Sequence, residues 1–237
     1  SLGHYKLTEF RPEHSRNLYA ELQKIISLET GRPLSKYIVE GVHATLCTIF
    51  SDAMEGGFLD HNLAWRTYRY AGRKKEKKIA DPETLQKIIS ALEEESLKYE
   101  TYFKLIIATG MRRGECCGLK WCDIDWEQRS IHICRNAVKV TDEEIFVKEP
   151  KTRAGDRYVY FSAEMESLLR EYQNECRYIT ETYEQRQLTA DDFLFRRQGA
   201  QLPMTPTTFT YRFKLILKKN GLPQELNVHS LRHTAAS

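Results

Sequence analysis

The chain has 237 residues, of which 41% are apolar and 29% charged, and its net charge is +3. That length supplies one large or two small cores, and the balance of apolar and charged residues excludes global disorder. No apolar run approaches the ~20 residues that cross a bilayer, and no signal-peptide pattern opens the sequence, so a cytoplasmic protein without membrane contact is expected.

Six cysteines (Cys47, Cys116, Cys117, Cys122, Cys134 and Cys176) form no C-x-x-C pair and match no zinc pattern. They read as reduced thiols in a packed interior. No acidic cluster has the separation of a two-metal nuclease, so neither a metal nor a cofactor is expected. Charge is unevenly spread. Residues 1–80 hold 13 Lys/Arg against 9 Asp/Glu.

In chain order, Leu18, Leu22, Ile25 and Ile26 predict a helix over residues 5–30, with Pro12 in its first turn. Thr30 to Pro33 breaks it. A second helix is predicted over 35–53, with Ile38, Val42, Leu46, Ile49 and Phe50 on one face, stopped by Gly56-Gly57. An aromatic and basic segment follows. Arg66, Arg69, Arg73, Lys74, Lys75, Lys77 and Lys78 face only Glu76, a block that reads equally as a solvated linker or as a strap across phosphates. Asp81 caps a further helix, with Pro82 at its first position and Leu85, Ile88, Ile89 and Leu92 inward. A buried helix over 99–109 leads to Thr109-Gly110.

The stretch that follows, Met111-Arg112-Arg113-Gly114-Glu115, reads as a tight break and a new helix, because glycine lets the backbone turn where a Cβ would clash. An arginine fixed at such a break offers a flat fork to a pair of phosphate oxygens. Glu115 falls on the same helical face as Arg112 and is placed to orient it. Taken alone, the pattern is more often a solvated helix start with a surface ion pair. Beyond Trp126 the period changes to two. Ile131 and Ile133, Val138 and Val140, Ile145 and Val147, and residues 157–161 predict one antiparallel sheet of about three strands, with Lys151 at the turn before the last. Ser162 caps a helix bearing Met165, Leu168, Leu169 and Tyr172. Thr205-Pro206 opens another, with Phe209, Phe213, Ile216 and Leu217 inward, Arg212 and Lys214 outward, and Gly221 at its end. Val228 to Ser237 begins a last helix carrying His229, Arg232 and His233.

Three stretches in this order, T-G-M-R-R-G-E, P-K-T-R-A-G-D-R and H-S-L-R-H-T, resemble the motifs of the tyrosine recombinases. These are the phage-integrase-type site-specific recombinases, which include the integrases of conjugative transposons. The resemblance covers nearly the whole chain. It implies a mainly α fold with a small antiparallel β-sheet, in two domains that clamp DNA. These would be a helical core-binding domain over 1–72, a basic linker over 73–80 and an α+β catalytic domain over 81–237.

Carried over residue by residue, the resemblance makes Arg112 and Arg232 the donors on a scissile phosphate. Lys151 becomes the general acid in the minor groove, with Lys148 as its rival, and His229 a base or phosphate donor. Glu115 and His233 would support them. The basic block from Arg66 to Lys78, with Arg212 and Lys214, would contact DNA. The chemistry is consistent with this set. In-line displacement at a phosphodiester builds charge on the non-bridging oxygens, and fixed guanidinium donors stabilise that charge more than the ground state.

The expected partners are double-stranded DNA at element ends and target sites, three further copies in a tetramer on DNA, and an excisionase. In the family the nucleophilic tyrosine follows the H-x-x-R box. Five residues follow Arg232 in this sequence, so this chain is expected to bind DNA without cleaving it. Other readings of the same residues are a chromosome-dimer resolvase or invertase, a non-catalytic DNA-binding protein that keeps the fold, and a type IB topoisomerase.

Overall fold

The computed structural model describes residues 3, 5–28, 31–68, 80–139, 145–149 and 155–234, with the side chains of Thr8, His233 and Thr234 outside that description. The chain divides into two compact units, Ser1–Lys75 and Glu76–Ser237.

In the first unit, helix α1 (Pro12–Leu22) starts on a proline whose fixed φ suits a first turn. It is much shorter than the helix predicted over 5–30. A 3-10 turn over Leu7–Glu9 precedes it. After Leu22 the chain doubles back, Ile26 bridges Pro33, and the Ser27 amide donates to the Arg32 carbonyl at 2.8 Å. Ile25 and Ile26 are consequently about half exposed instead of lining a helical face.

Helix α2 (Lys36–Glu55) ends at Gly56-Gly57, where Gly57 takes φ 73°. It buries Val39 and Phe50 and leaves Ile38 and Ile49 about half exposed, so the inward stripe is rotated from the predicted one. The sequence carries apolar residues on two adjacent stripes. The neighbours decide between them: Phe10 meets Phe50 at 4.7 Å between ring centres, and the Tyr19 hydroxyl reaches His43 Nδ1 at 3.0 Å.

In the second unit, α3 (Pro82–Glu93) is capped as predicted, the Asp81 carboxylate accepting from the Thr84 amide at 2.9 Å. Helix α4 (Leu97–Thr109) buries Tyr102, Phe103, Leu105 and Ile106 completely, and it packs on α3 and on two later helices. Burying side chains of this size stabilises the fold by about 2 kcal/mol each before entropy is counted. Helix α5 (Arg113–Cys117) is a single short turn beyond the break.

Among the described residues five strands follow: β1 (Ile124–Asp125), β2 (Ser130–Ile133), β3 (Asn136–Lys139), β4 (Ile145–Lys148) and β5 (Arg157–Tyr160). They form two antiparallel sheets, β1-β2-β5 and β3-β4, where the period predicted one. Alternation identifies a strand but not its partner. The chain steps out of the first sheet at Cys134-Arg135, makes β3 and β4 as a separate pair, and returns to lay β5 on β2, with His132 opposite Tyr158. Helix α6 (Ala163–Tyr183), capped by Ser162, takes in much of the polar stretch after Tyr172.

Helices α7 (Pro206–Lys219) and α8 (Val228–Thr234) complete the unit. The predicted inward face of α7 is the observed one, and Phe209 stacks on Tyr102 with ring centres 3.5 Å apart. The fold is mainly helical with small antiparallel sheets, the class predicted. Among the described residues no helix is long and apolar enough to cross a membrane.

Candidate active site

The site begins where α4 stops. Gly110 takes the left-handed conformation (φ 64°), and its amide closes the helix on the Ile106 carbonyl at 2.9 Å. Met111 is buried, which drives the backbone inward and leaves Arg112 as the residue preceding α5. Helix α5 then lies directly on β3 because Gly114 faces the strand. A Cβ there would stand 2.3 Å from Asn136 Oδ1 and 2.7 Å from the Ala137 carbonyl oxygen. Gly118, one turn on, approaches the strand less closely, a Cβ there meeting the backbone of Arg135 and Ala137 at 3.2–3.3 Å.

Glu115 is the buried hub, 5% exposed. Its carboxylate accepts from the Arg112 amide at 2.7 Å and from Arg112 Nη1 at 2.5 Å. It also accepts from Arg157 Nη1 at 3.2 Å and Nη2 at 2.9 Å. Burial pushes this carboxyl up, but the bonds from Arg157 and Arg112 outweigh it and hold the group below its ordinary value. The side chain of Arg112 remains 56% exposed and faces a cleft of about 610 Å³.

The opposite wall of the cleft comes from α8. Asn227 caps that helix, its Oδ1 accepting from the amides of His229 at 2.9 Å and Ser230 at 3.1 Å. Ser230 Oγ accepts in return from the Asn227 amide at 3.2 Å. His229 and Arg232, one turn apart, both line the cleft with Arg112, Arg113, Asn136 and Thr210. The Arg232 guanidinium is held below its ordinary value by partial burial and by repulsion from Arg112 and Arg157, while Glu115 opposes the shift. An arginine so perturbed remains a cation. Arg112 and Arg232 both line the cleft and Arg157 shares the Glu115 carboxylate with Arg112, so the three guanidinium groups gather in one region, which is favourable to an anion.

The structure therefore brings Arg112, Glu115, His229 and Arg232 to one cleft. It places other candidate residues elsewhere. Lys151, Arg69, Arg73, Lys74, Lys75, Lys77 and Lys78 lie outside the described residues, as does the His233 side chain. Arg66 is exposed in the first unit with φ 59°. Lys148 is exposed on β4. The expectation that Arg212 and Lys214 are outward DNA-facing charges meets a different arrangement. Arg212 is bound to the buried carboxylate of Glu95 and stands 5.0 Å over the Tyr99 ring. Lys214 donates to the carbonyls of Gln224 and Leu226, holding the turn that leads to α8. Both are engaged because they lie over polar groups that α7 would otherwise leave unpaired.

Sequence reasoning missed Arg157, Asn136, Asn227 and Thr210. Arg113 Nη1 donates to Thr210 Oγ1 at 3.1 Å, which ties the start of α5 to α7. Asn227 carried a readable signal, an Asn three places before Ser230 at the head of an apolar-spaced run. Arg157 ends the second motif, yet nothing local distinguishes it from any strand-edge charge.

Residues 78–237 match the model of the Phage integrase family. The ICEBs1 integrase of Bacillus subtilis (strain 168) is 26% identical over 207 residues, covering 87% of this chain and 54% of that protein. A XerC-like tyrosine recombinase of Caldanaerobacter subterraneus subsp. tengcongensis is 29% identical over 222 residues, covering 86% of this chain and 55% of that protein. The chain spans about half the length of these curated relatives. The Tn1549 transposon integrase in complex with transposon right end DNA shares the fold with a TM-score of 0.78 at 20% identity, over 98% of this chain and 73% of that chain. A lambda integrase tetramer bound to a Holliday junction gives 0.58 at 16% identity, over 97% of this chain and 60% of that chain.

Proposed function

The chain belongs to the phage integrase family, and from that premise we propose that it serves site-specific recombination of a mobile element, holding the scissile phosphate of duplex DNA in the cleft between α5 and α8. The observation that carries this reading is the convergence of Arg112, His229 and Arg232 on one cleft with Glu115 locking the first of them. The family's reaction is attack by a tyrosine oxygen on phosphorus. The P–O bond to the 5′-oxygen breaks, a 3′-phosphotyrosine forms, and the leaving oxygen takes a proton. Two fixed guanidinium groups stabilise the charge that builds on the non-bridging oxygens, each worth about 3 kcal/mol in such sites. Lys151 gives the proton and His229 bonds the phosphate or accepts the nucleophile's proton.

On this reading the polypeptide of residues 1–237 grips the phosphate, and it is expected to do so without supplying the nucleophile. The unit Ser1–Lys75 and the basic block from Arg66 to Lys78 add contacts to the DNA backbone, and four copies act together on two DNA sites. An excisionase would bias the direction of the reaction.

The test is binding of the 237-residue polypeptide to element-end and scrambled duplexes across a salt series, followed by a denaturing gel. Affinity for both duplexes should fall steeply with salt, since phosphate neutralisation releases counterions. A preference for element ends without a covalent adduct is the expected result. An adduct would mean that a tyrosine within residues 1–237 attacks, and absence of binding at low salt would end the recombinase reading.

A further inference from the structure

We propose that Arg157 is a positioning residue for the phosphate-binding arginine Arg112, acting through the shared carboxylate of Glu115. The proposal deepens the reading of the cleft as a phosphate site and rests on it. Glu115 alone would be a poor neighbour for an anion site. Its carboxylate sits against Arg112 and, with no second cation, would cancel that charge. Arg157 changes this. Its fork takes both carboxylate oxygens, at 3.2 and 2.9 Å, from a residue 42 positions away. The trio of Arg112, Glu115 and Arg157 then carries one net positive charge.

The hydrogen-bond pattern also divides the work. Arg112 gives Nη1 to Glu115 Oε1 at 2.5 Å, while among the described residues its Nε and Nη2 have no acceptor. Those N–H groups are held in a fixed direction on a half-exposed side chain that lines the cleft. Arg157 spends its own donors on Glu115, is only 28% exposed at the side chain, and does not line the cleft. It stands at the start of β5, opposite Ile133 of β2. Its bond to Glu115 therefore sets α5 against the sheet, and Lys151 precedes it by six residues in the chain. A lysine would keep the charge but could not close a two-point bond on a carboxylate.

The experiment is a titration of the 15N-arginine-labelled 237-residue polypeptide with inorganic phosphate, following side-chain Nε–H signals by NMR. In the unaltered protein, phosphate should shift Arg112 and Arg232 and leave Arg157 nearly unmoved. An Arg157 shift as large as that of Arg112 would make it a direct ligand and overturn the proposal, without needing any variant. Arg157→Lys and Arg157→Ala should each weaken phosphate binding about tenfold, the worth of one charge-assisted hydrogen bond, at a temperature where their amide spectra remain those of the folded protein. Unchanged affinity in Arg157→Lys would show that charge alone suffices and would overturn positioning. If phosphate moves neither Arg112 nor Arg232 in the parent protein, the phosphate-site reading falls, and this inference with it.

Discussion

Replacing Gly114 by alanine tests the packing on which the cleft depends. The added Cβ would meet Asn136 Oδ1 at 2.3 Å and the Ala137 carbonyl oxygen at 2.7 Å. The amide side chain can rotate away, but the carbonyl belongs to β3 and cannot. Ordinary contact begins near 3.4 Å, so α5 must retreat from the strand by about 0.7 Å. Overpacking of this kind costs about 1–3 kcal/mol, and the better helix propensity of alanine offsets at most about 1 kcal/mol. A net loss of about 1–2 kcal/mol is expected, seen as a fall of about 3–6 °C in the melting of the second unit. The displacement carries Arg112 and Glu115 with it. A shift approaching 1 Å can cost a geometry-dependent site about a hundredfold, so phosphate and DNA affinity should fall well beyond what the lost stability explains. Differential scanning calorimetry and a phosphate titration on the same sample measure both terms. Gly118→Ala serves as the comparison, since its Cβ would meet backbone only at 3.2–3.3 Å and a shift of a few tenths of an ångström accommodates it. If Gly114→Ala melts and binds like the parent, the close approach of α5 to β3 does not hold the site and the reasoning is refuted.

Other residues give further tests. Asp192 is held at about 2: burial pushes it up, but the Arg186 fork at 2.7 and 2.8 Å and the Thr189 amide pull it down further. A depressed folded-state value stabilises above the ordinary carboxylate range and is lost as pH falls toward the folded value, so Asp192→Asn should flatten the acid limb of the stability curve between about pH 4 and pH 2. Glu115 obeys the same sign, and Glu115→Ala should lose DNA affinity at neutral pH by unmooring Arg112, whereas an effect on melting alone would count against its role at the cleft. Arg212→Ala should destabilise the second unit by about 3 kcal/mol, because it strands the buried Glu95 carboxylate. It should leave the salt dependence of DNA binding unchanged, and a shallower salt slope would return Arg212 to the DNA interface. Burial pushes the thiols of Cys117 to about 12 and Cys176 to about 11, and Cys116 well above its ordinary value. Alkylation at pH 8 should therefore mark the exposed Cys122 first and reach those three only on unfolding, which peptide mapping resolves.

What the sequence made legible was local. Asp81, Ser162 and Thr205 announce helix starts, because a side-chain oxygen two or three residues before an unpaired amide is a short-range interaction. Gly110 announces the break that aims Arg112, because left-handed backbone is a property of one residue. The Arg112–Glu115 pair followed from helical spacing alone. The Arg157–Glu115 pair could not, because it joins a helix to a strand through the order of strands in a sheet, and alternation says nothing of that order.

The same limit governs the charged helix faces. Arg212 and Lys214 read in sequence as solvated, DNA-facing charges on an amphipathic helix. In the structure they bond to Glu95 and to two carbonyls before α8, groups distant in sequence that α7 covers. A buried carboxylate with one available cation leaves that cation no freedom, since parting them costs more than any surface contact returns. Glu115 obeys the same rule but has two cations instead of one. The second cation, Arg157, is what leaves part of the Arg112 guanidinium available to a phosphate.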